Sequence, residues 1–340
     1  GDRASIKLDI AQIKANRIDA ILGLLQQSSG NMRVTGYVDM ELNNLFRSGK
    51  QLGILWRQYD VQSQLLKTAF NSPNLLRSPL GLRLAFNLLK QDTTFTRQDF
   101  TLGLSFDYGT LDLIVKANFM GSRLIGTPVS TEPDQSFADY NLQYYGAQLA
   151  QIKMDNILNP LNGFGWSIAA DIGNKKLLQN NSAPLPPEDS VARASVQYRL
   201  VAKAEVNAHL GSVFVGHVDF TTGLLFNNSQ IFTNDKFRIG GLNSLRGFNE
   251  FEFYTARYVL SRFEARILIG EQSRIFGFFD IAFTELNEGS PWDQPMGFGA
   301  GMLLGLGSGN VQLVYALGNS NQQSLSLNQA KIHLGYVAKF

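Results

Sequence analysis

The residues whose types and spacing suggest chemistry lie in one glycine-rich stretch of this 340-residue chain. Residues 237–253 have the sequence FRIGGLNSLRGFNEFEF, in which Arg246 stands among glycines and aromatic residues. The stretch is too rich in Gly, Asn and charge for a membrane strand, yet strand-like segments flank it, so it predicts a long loop. A long loop inside a compact domain is usually functional. We hypothesise that Arg246 folds back into the interior of a barrel.

A buried arginine needs acceptors, because its guanidinium carries a permanent charge and five fixed donors. A carboxylate can accept two of these donors side by side. We expect Arg246 to pair with Asp280 and Phe248 to pack beside it, and Glu264 is the other available acceptor. The strand pattern turns four further residues toward this wall: Arg262, Arg266, Arg274 and Phe278. A solvent-exposed turn arginine stays open as the alternative.

The predicted strand at 295–306 offers the loop space. Its pattern places large side chains outward and a series of glycines inward, namely Gly297, Gly299, Gly301 and Gly305. Glycine on an interior wall lets another backbone approach closely. We therefore expect the loop to lie against this strand.

Period-two alternation of apolar and polar residues, the pattern of β-strands, runs along the chain from Arg17 onward. About sixteen segments of roughly 10 residues recur, the length that a tilted strand needs to cross a bilayer. The long connections predicted at 123–139, 174–190 and 227–254 lie at one end, and mostly short turns lie at the other. This asymmetry is typical of outer-membrane barrels.

The predicted fold is therefore an all-β, transmembrane antiparallel β-barrel of about sixteen strands with a long extracellular loop folded into its lumen. Residues 17–340 form the barrel and residues 1–16 a lead-in segment. A soluble β-sandwich is the alternative, but its second face would usually be more highly charged. No run of roughly 18 apolar residues suggests a transmembrane helix.

Composition excludes several classes of protein. The chain is 44% hydrophobic and 17% charged, and its formal net charge is +2. These values argue against disorder and carry no polyanion-binding signature, so we expect no nucleic-acid partner. The chain has no Cys, which excludes a disulfide framework and a Cys-based zinc site.

The last ten residues, KIHLGYVAKF, alternate and stop on an aromatic residue. They resemble the C-terminal assembly signal of bacterial outer-membrane proteins, with His333, Gly335, Ala338 and Phe340 at its positions. The alternative is an ordinary last strand with an aromatic residue at the membrane interface.

Three stretches resemble the BamA/TamA-type outer-membrane assembly superfamily, which includes the two-partner secretion transporters. GGLNSLRGF at 240–248 resembles its loop motif, and FFDIA at 278–282 resembles the strand motif whose Phe and Asp meet the loop arginine. RIDAILGL at 17–24 is similar to its opening barrel strand. Ala282 stands where the strand motif usually has Gly, so we expect a looser fit of the loop there.

The resemblance implies a protein that inserts or exports other proteins at the outer membrane of Gram-negative bacteria, without a cofactor. Arg246, Gly247 and Phe248 would form a lock, received by the residues Asp280, Glu264, Phe278, Arg262 and Arg266. The implied partners are the lipid bilayer with lipopolysaccharide, client outer-membrane or secreted proteins, and accessory subunits of an assembly complex. A seam between the first and last strands, at 17–25 and 329–340, would open to a client. Secretion through the lumen and a plain porin-like channel stay open as alternatives.

Members of this superfamily normally carry periplasmic POTRA domains ahead of the barrel. Sixteen lead-in residues cannot form one such domain. Either the upstream region is missing and the lead-in is the end of a POTRA domain, or the chain is a barrel-only relative.

An outer-membrane enzyme would need a catalytic constellation. His217 and Asp219 share one inner face, but no serine elbow or HExxH motif accompanies them, and no two histidines have ligand spacing. We expect ordinary lumen residues here, no enzyme activity and no metal.

Overall fold

The computed structural model describes residues 16–26, 32–60, 62–126, 136–156, 159–180, 191–270, 272–285, 289–306 and 309–339. Before the long loop, the strands are β1 (Arg17–Gln26), β2 (Met32–Leu45), β3 (Lys50–Gln58), β4 (Gln64–Ser72), β5 (Leu80–Gln91), β6 (Phe95–Tyr108), β7 (Leu111–Leu124), β8 (Asp139–Met154), β9 (Gly163–Leu178), β10 (Ala194–His209) and β11 (Phe214–Asn227). The loop, residues 228–256, contains β12 (Phe237–Ile239) and β13 (Phe253–Thr255). After it come β14 (Arg257–Gly270), β15 (Ser273–Glu285), β16 (Trp292–Asp293), β17 (Met296–Leu306), β18 (Gly309–Asn319) and β19 (Lys331–Lys339). Two short 3₁₀ helices, Leu75–Arg77 and Leu327–Gln329, lie in connections.

The strands form one closed antiparallel sheet. The sheet contains seventeen strands, of which β16 is only two residues long, so sixteen strands make the wall. β1 closes the barrel by pairing with β19, from Arg17 opposite Lys339 to Ile21 opposite Gly335. Closure pairs the strand edges, which is what allows a sheet to stand in lipid. The predicted all-β barrel is confirmed.

Side chains alternate between a lipid-facing surface and the lumen. On β6, Phe100, Leu102, Leu104 and Phe106 are each more than 40% exposed on the outside, while Asp99 on the same strand is buried inside. Large apolar side chains so widely exposed form the belt that a bilayer covers. None of the helices among these residues is long and apolar enough to cross a membrane.

The wall is tallest on one side of the barrel. β8, β9 and β10 each have 16 residues, whereas β3, β4 and β19 each have 9. The connection after β9 is therefore shorter than the predicted 174–190, because β9 continues to Leu178. Lys175 and Leu177 are buried inward, and the ladder to β8 extends to Asp139 opposite Leu178.

The last five long strands lie close to their predicted positions. The sequence pattern predicts 256–269, 274–284, 295–306, 310–318 and 329–340, and the structure has β14, β15, β17, β18 and β19 there. Phe340 lies outside the described residues, as do residues 1–15 of the lead-in.

Depth in the membrane sets the cost of a charge on the outer surface. Leu102 lies at the middle of β6 and Gln98 nearer its long-loop end, both on the outer face. We expect Leu102→Arg to destabilise the barrel in lipid vesicles by about 2–4 kcal/mol and Gln98→Arg by about 1 kcal/mol or less. Denaturant unfolding in vesicles measures both values. Equal costs would contradict this placement of the bilayer.

Candidate functional site

The loop at 228–256 folds inward and is shaped by its own short contacts. β12 and β13 pair from Phe237 opposite Thr255 to Ile239 opposite Phe253, which brings the two ends of the loop motif together. Within the turn, Ser244 Oγ donates to the Gly240 carbonyl at 2.8 Å and accepts from the Gly240 amide at 2.8 Å. The tip that carries Arg246 is therefore held before it meets the wall.

Arg246 lies in the lumen, only 4% exposed, and is held by two carboxylates. Its Nε donates to Asp280 Oδ2 at 2.8 Å and its Nη2 to Asp280 Oδ1 at 2.6 Å, which is a bidentate pair. Its backbone amide also donates to Asp280 Oδ2, at 3.1 Å. Its Nη1 donates to Glu264 Oε1. The guanidinium thus meets carboxylates from both β15 and β14, the pairing expected from the sequence.

The second carboxylate is itself held in place. Arg266 Nε donates to Glu264 Oε2 at 2.8 Å, and Arg266 Nη1 donates to Asn207 Oδ1 at 3.0 Å. A chain of charged and polar groups therefore extends from the loop tip across β14 to β10. Such buried networks hold one arrangement when every member is paired.

Arg262 was predicted to share this receptor but reaches other partners. Its Nε donates to Asp219 Oδ1 at 3.0 Å, and its Nη1 donates to the Asn243 carbonyl at 3.2 Å. It therefore contacts the loop through backbone, beside the carboxylates that hold Arg246.

The aromatic ring beside the guanidinium belongs to Phe278. Arg246 Cζ lies 3.8 Å from the centroid of this ring, a cation–π arrangement. This is the contact that the resemblance of the strand motif implied. Phe248 was also expected beside the arginine, but it is fully buried in a separate apolar cluster formed by Ile239, Leu245, Tyr258, Leu260 and Ala282. Arg246 and Phe248, on either side of Gly247, therefore point in different directions. Arg246 holds the loop by ionic bonds and Phe248 holds it by apolar packing. The Ala282 methyl, where a looser fit was expected, is fully buried in this cluster.

Glycines let the loop backbone touch the wall. A Cβ at Gly297 would overlap the Arg246 carbonyl oxygen, and a Cβ at Gly318 would lie 2.5 Å from the Gly247 carbonyl oxygen. Gly247 itself has φ +93°, a conformation that side chains disfavour. Of the four glycines expected to face the loop, Gly297 does so, whereas the space at Gly299, Gly301 and Gly305 is taken by Phe278 and Tyr315, by Phe276, and by Gln272.

Electrostatics favour a charged arginine at the loop tip. Burial acts to lower the pKa of Arg246, but the hydrogen bonds and charge of Asp280, together with Glu264, outweigh burial and raise the pKa. The guanidinium of Arg246 therefore stays protonated at every physiological pH.

A second anchor, absent from the sequence prediction, holds the beginning of the loop to β9, which is separated from β14 by β10 and β11. Lys175 on β9 donates to Asp235 Oδ2, and the side chains are 1% and 0% exposed. Lys175 Nζ also lies 4.7 Å from the Tyr140 ring centroid and 4.6 Å from that of Phe232. This buried ion pair holds Asp235, near the beginning of the loop, against β9.

Asn234, next to Asp235 in sequence, is fully buried and forms hydrogen bonds with polar groups of the surrounding wall. Its Nδ2 donates to Ser122 Oγ at 2.8 Å and to the Ala138 carbonyl at 2.7 Å. The backbone carbonyl of Asn234 accepts from the Tyr140 hydroxyl at 3.0 Å. The only sequence signal for this anchor is a lysine, Lys175, in inward register near the end of a strand.

Further polar contacts tie the loop to β3 and β5, which lie across the barrel from β14 and β15. Arg57 on β3 donates to Glu250 Oε2 at 2.6 Å, and Arg238 Nη1 donates to Gln91 Oε1 of β5 at 2.8 Å. Burial raises the pKa of Glu250, an effect that Arg57 opposes. The loop is thus bonded to strands on several sides of the lumen.

His217 and Asp219 lie beside the lock network, with His217 opposite Glu264 on the neighbouring strand. His217 Nδ1 is 2.9 Å from Asn207 Oδ1, and Asp219 is engaged by Arg262. Across the described part of the chain, no group of three or more His, Cys, Asp or Glu could hold a metal ion. In the proposed terminal signal, His333 is half-buried and Gly335 buried. The backbone of Ala338 pairs with Ile18, and the signal itself stays a prediction.

Comparison of the sequence with protein-family models and with curated proteins gives no match. Solved structures do match. BamA from Haemophilus ducreyi lacking POTRA domains 1-3 has a TM-score of 0.60 and 12% identity, over 97% of this chain and 71% of that one. CdiB from Escherichia coli has a TM-score of 0.63 and 11% identity, over 98% and 64%. CdiB from Acinetobacter baumannii has a TM-score of 0.64 and 12% identity, over 97% and 61%.

These similarities show the fold. The barrel has the architecture of the BamA and CdiB barrels over nearly its whole length, as the resemblance of the motifs implied. The chain spans less than two thirds of the length of either CdiB chain.

Removing the guanidinium tests the lock. In Arg246→Ala, Asp280 is left buried without its counter-charge, a cost of about 3–5 kcal/mol. We expect the loop to leave the lumen, so that proteinase K cleaves within 228–256 at least about tenfold faster in a barrel that is still folded. Arg246→Lys should give an intermediate rate, because an ammonium cannot form the bidentate pair.

A matched pair of glycine variants tests the same docking without removing a charge. Gly297→Ala places a methyl against the Arg246 carbonyl, whereas at Gly53, also in the lumen, the nearest atom to an added Cβ is 4.0 Å away. Gly297→Ala should therefore expose the loop and Gly53→Ala should not. If the loop of folded Arg246→Ala is as protected as in the unchanged barrel, the lock does not hold the loop.

The second anchor makes a separate prediction. Lys175→Met leaves the Asp235 carboxylate buried and unpaired and should destabilise docking of residues 228–236 by about 3–5 kcal/mol. Adding Asp235→Asn removes that charge while keeping an acceptor for the Phe232 amide, so the double variant should recover much of the loss. Hydrogen exchange of residues 228–236, compared with 240–250, measures this. A double variant as exposed as the single one would contradict a buried ion pair.

Proposed function

We propose that this chain is an outer-membrane barrel of the BamA/TamA and two-partner secretion superfamily that assembles other proteins into the membrane. The loop motif, its carboxylate receptor and the barrel architecture support the membership together. BamA and CdiB are the solved barrels that share this architecture. The proposed partners are the bilayer with its lipopolysaccharide, client proteins and accessory subunits, and no cofactor is involved.

The observation that carries the insertase assignment is the short ladder at the seam. β1 pairs with β2 along its whole length, from Arg17 to Gln26. Against β19, in contrast, it pairs only from Arg17 to Ile21. Among the described residues, Leu22 to Gln26 have no ladder partner on β19. A strand edge without a ladder partner can take up a client strand by β-augmentation.

The lock lies close to this seam. The Gly247 carbonyl accepts from Gln323 Nε2 at 3.5 Å, and Gln323 belongs to the connection between β18 and β19. The Gly318 carbonyl, at the end of β18, accepts from the same amide at 3.3 Å. We infer that the loop stabilises the position of the connection between β18 and β19. Loss of the Arg246 contacts would then alter the position of β19, which forms one side of the seam.

A secretion transporter that passes its client through the lumen is the second candidate. The loop, bonded to several walls of the lumen, would then have to move during each passage. The same bonds argue against a steadily open porin. We propose no enzyme activity, since the His217 ring is engaged by Asn207. An enzyme would lose its activity in His217→Ala, whereas assembly should not change.

Disulfide locking of the seam tests the proposal in this naturally Cys-free chain. Ala20 stands opposite Tyr336 across the seam and opposite Val38 on β2. The assay measures how fast an unfolded eight-stranded client barrel folds into proteoliposomes that contain the variant. We expect the oxidised Ala20→Cys/Tyr336→Cys barrel to give no acceleration, so that the client folds at the rate seen with empty vesicles. Reduction should restore the acceleration, because the edge can open again.

The matched control joins Ala20 to its other neighbour. Oxidised Ala20→Cys/Val38→Cys carries the same kind of crosslink within a ladder that need not open, so it should stay active. Full activity with the seam crosslinked would exclude insertion through the seam and would direct the next test to transport through the lumen.

A further inference from the structure

The outer surface of the tall wall carries polar side chains where the belt below it is apolar. On β8 and β9, Asn141, Gln143, Asn174 and Lys176 are all exposed. Asn141 stands opposite Lys176, and Gln143 stands opposite Asn174. The four side chains form a two-by-two block on one face of the sheet, which we call the polar patch.

The polar patch lies at the edge of the lipid-facing belt, on the long-loop end. One step toward the barrel middle, Tyr145 stands opposite Ile172, which stands opposite Tyr198, and all three are about half exposed. A groove of about 520 Å³ is lined by the patch together with residues 194–196 and Asn228. Aromatic residues mark the level of lipid headgroups, so the groove lies where headgroups are.

Among the residues that the structure describes, the side chains with a net charge exposed at this patch are cations. Lys176 has no hydrogen bond or ion pair with any residue that the structure describes. Arg123 lies beside the patch, with its Nη2 donating to Asn141 Oδ1 at 2.6 Å and its Nη1 donating to the Tyr140 carbonyl at 2.7 Å. Both cations are exposed on the outer face.

The carboxylate that adjoins the patch is already engaged. Asp139, two residues before Asn141, is 8% exposed. Its Oδ1 accepts from the Leu124 amide at 2.7 Å, and its Oδ2 accepts from Asn180 Nδ2 at 3.1 Å. It is therefore turned into the rim, and the open groove presents cations and carboxamides.

We propose that the polar patch binds the phosphate-bearing sugar headgroup of a membrane glycolipid in the leaflet at the long-loop end. Lys176 and Arg123 pair with phosphate, and the carboxamides of Asn141, Gln143 and Asn174 exchange hydrogen bonds with sugar hydroxyls. The acyl chains continue onto the apolar belt below. The inference rests on the membrane placement under the proposed function and is independent of how clients are handled.

Native mass spectrometry of the detergent-solubilised barrel, with diphosphorylated lipid A as the probe, tests the site. Lys176→Gln should lower the bound fraction about five- to tenfold, the loss of one charge-assisted hydrogen bond. Lys153→Gln is the matched control, because Lys153 is exposed on the same face of β8 at its other end. It should bind lipid as the unchanged barrel does. Because Lys176 is exposed and unpaired among these residues, its replacement should leave the barrel folded.

Two further arms identify the ligand. Dephosphorylated lipid A should bind weakly to the unchanged barrel and should not distinguish Lys176→Gln from it. Inorganic phosphate at the same concentration should not displace the lipid, and full displacement would make the groove an anion site instead. Equal lipid binding by all three proteins, or none by the unchanged barrel, would overturn the inference. Either result leaves the seam assay unaffected, so the two proposals fail separately.

Discussion

The charge of Arg246 governs the arrangement of the lumen. A guanidinium cannot lose its proton, so a position that is only 4% exposed requires carboxylates in bonding geometry. Asp280 supplies two oxygens from β15, and Glu264 supplies one from β14. Glu264 in turn needs Arg266. One loop residue is therefore bonded to inward side chains of two neighbouring strands, and removing it leaves the buried Asp280 without its counter-charge.

Close approach of backbones is the second requirement. The carboxylates are reached only because the loop lies directly on β17 and β18, where side chains at Gly297 and Gly318 would overlap it. The lumen is consequently filled in part by the core of the loop itself, with Phe248 and Leu245 fully buried. The lock and the wall depend on each other. The inward carboxylates need Arg246 as a counter-charge, and the apolar residues of the loop need the wall to be buried.

The loop also links regions of the barrel that are distant in sequence. The Lys175–Asp235 pair holds its first half against the tall wall of β8 and β9, whereas Arg246 holds its tip against β14 and β15. Its Gly247 carbonyl meets Gln323 in the connection that leads to β19. The loop is therefore in contact with the tall wall, with β14 and β15, and with the connection that precedes the last strand.

The sequence by itself determined the barrel, its strand positions and the inward direction of Asp280 and Glu264, because period-two alternation is a local property that the pleat converts directly into facing. It also pointed to Arg246, through the position of this residue in a long glycine-rich loop and the resemblance of that loop to a family motif, while a solvent-exposed arginine stayed open until the structure placed it. The tertiary structure alone decided that Phe248 leaves the guanidinium for a separate apolar cluster, and that Arg262 bonds Asp219 instead of the lock. It alone revealed the pairing of Lys175 with Asp235, 60 residues apart. Such contacts depend on how the closed barrel places strands and loop in three dimensions, and no local pattern records that placement.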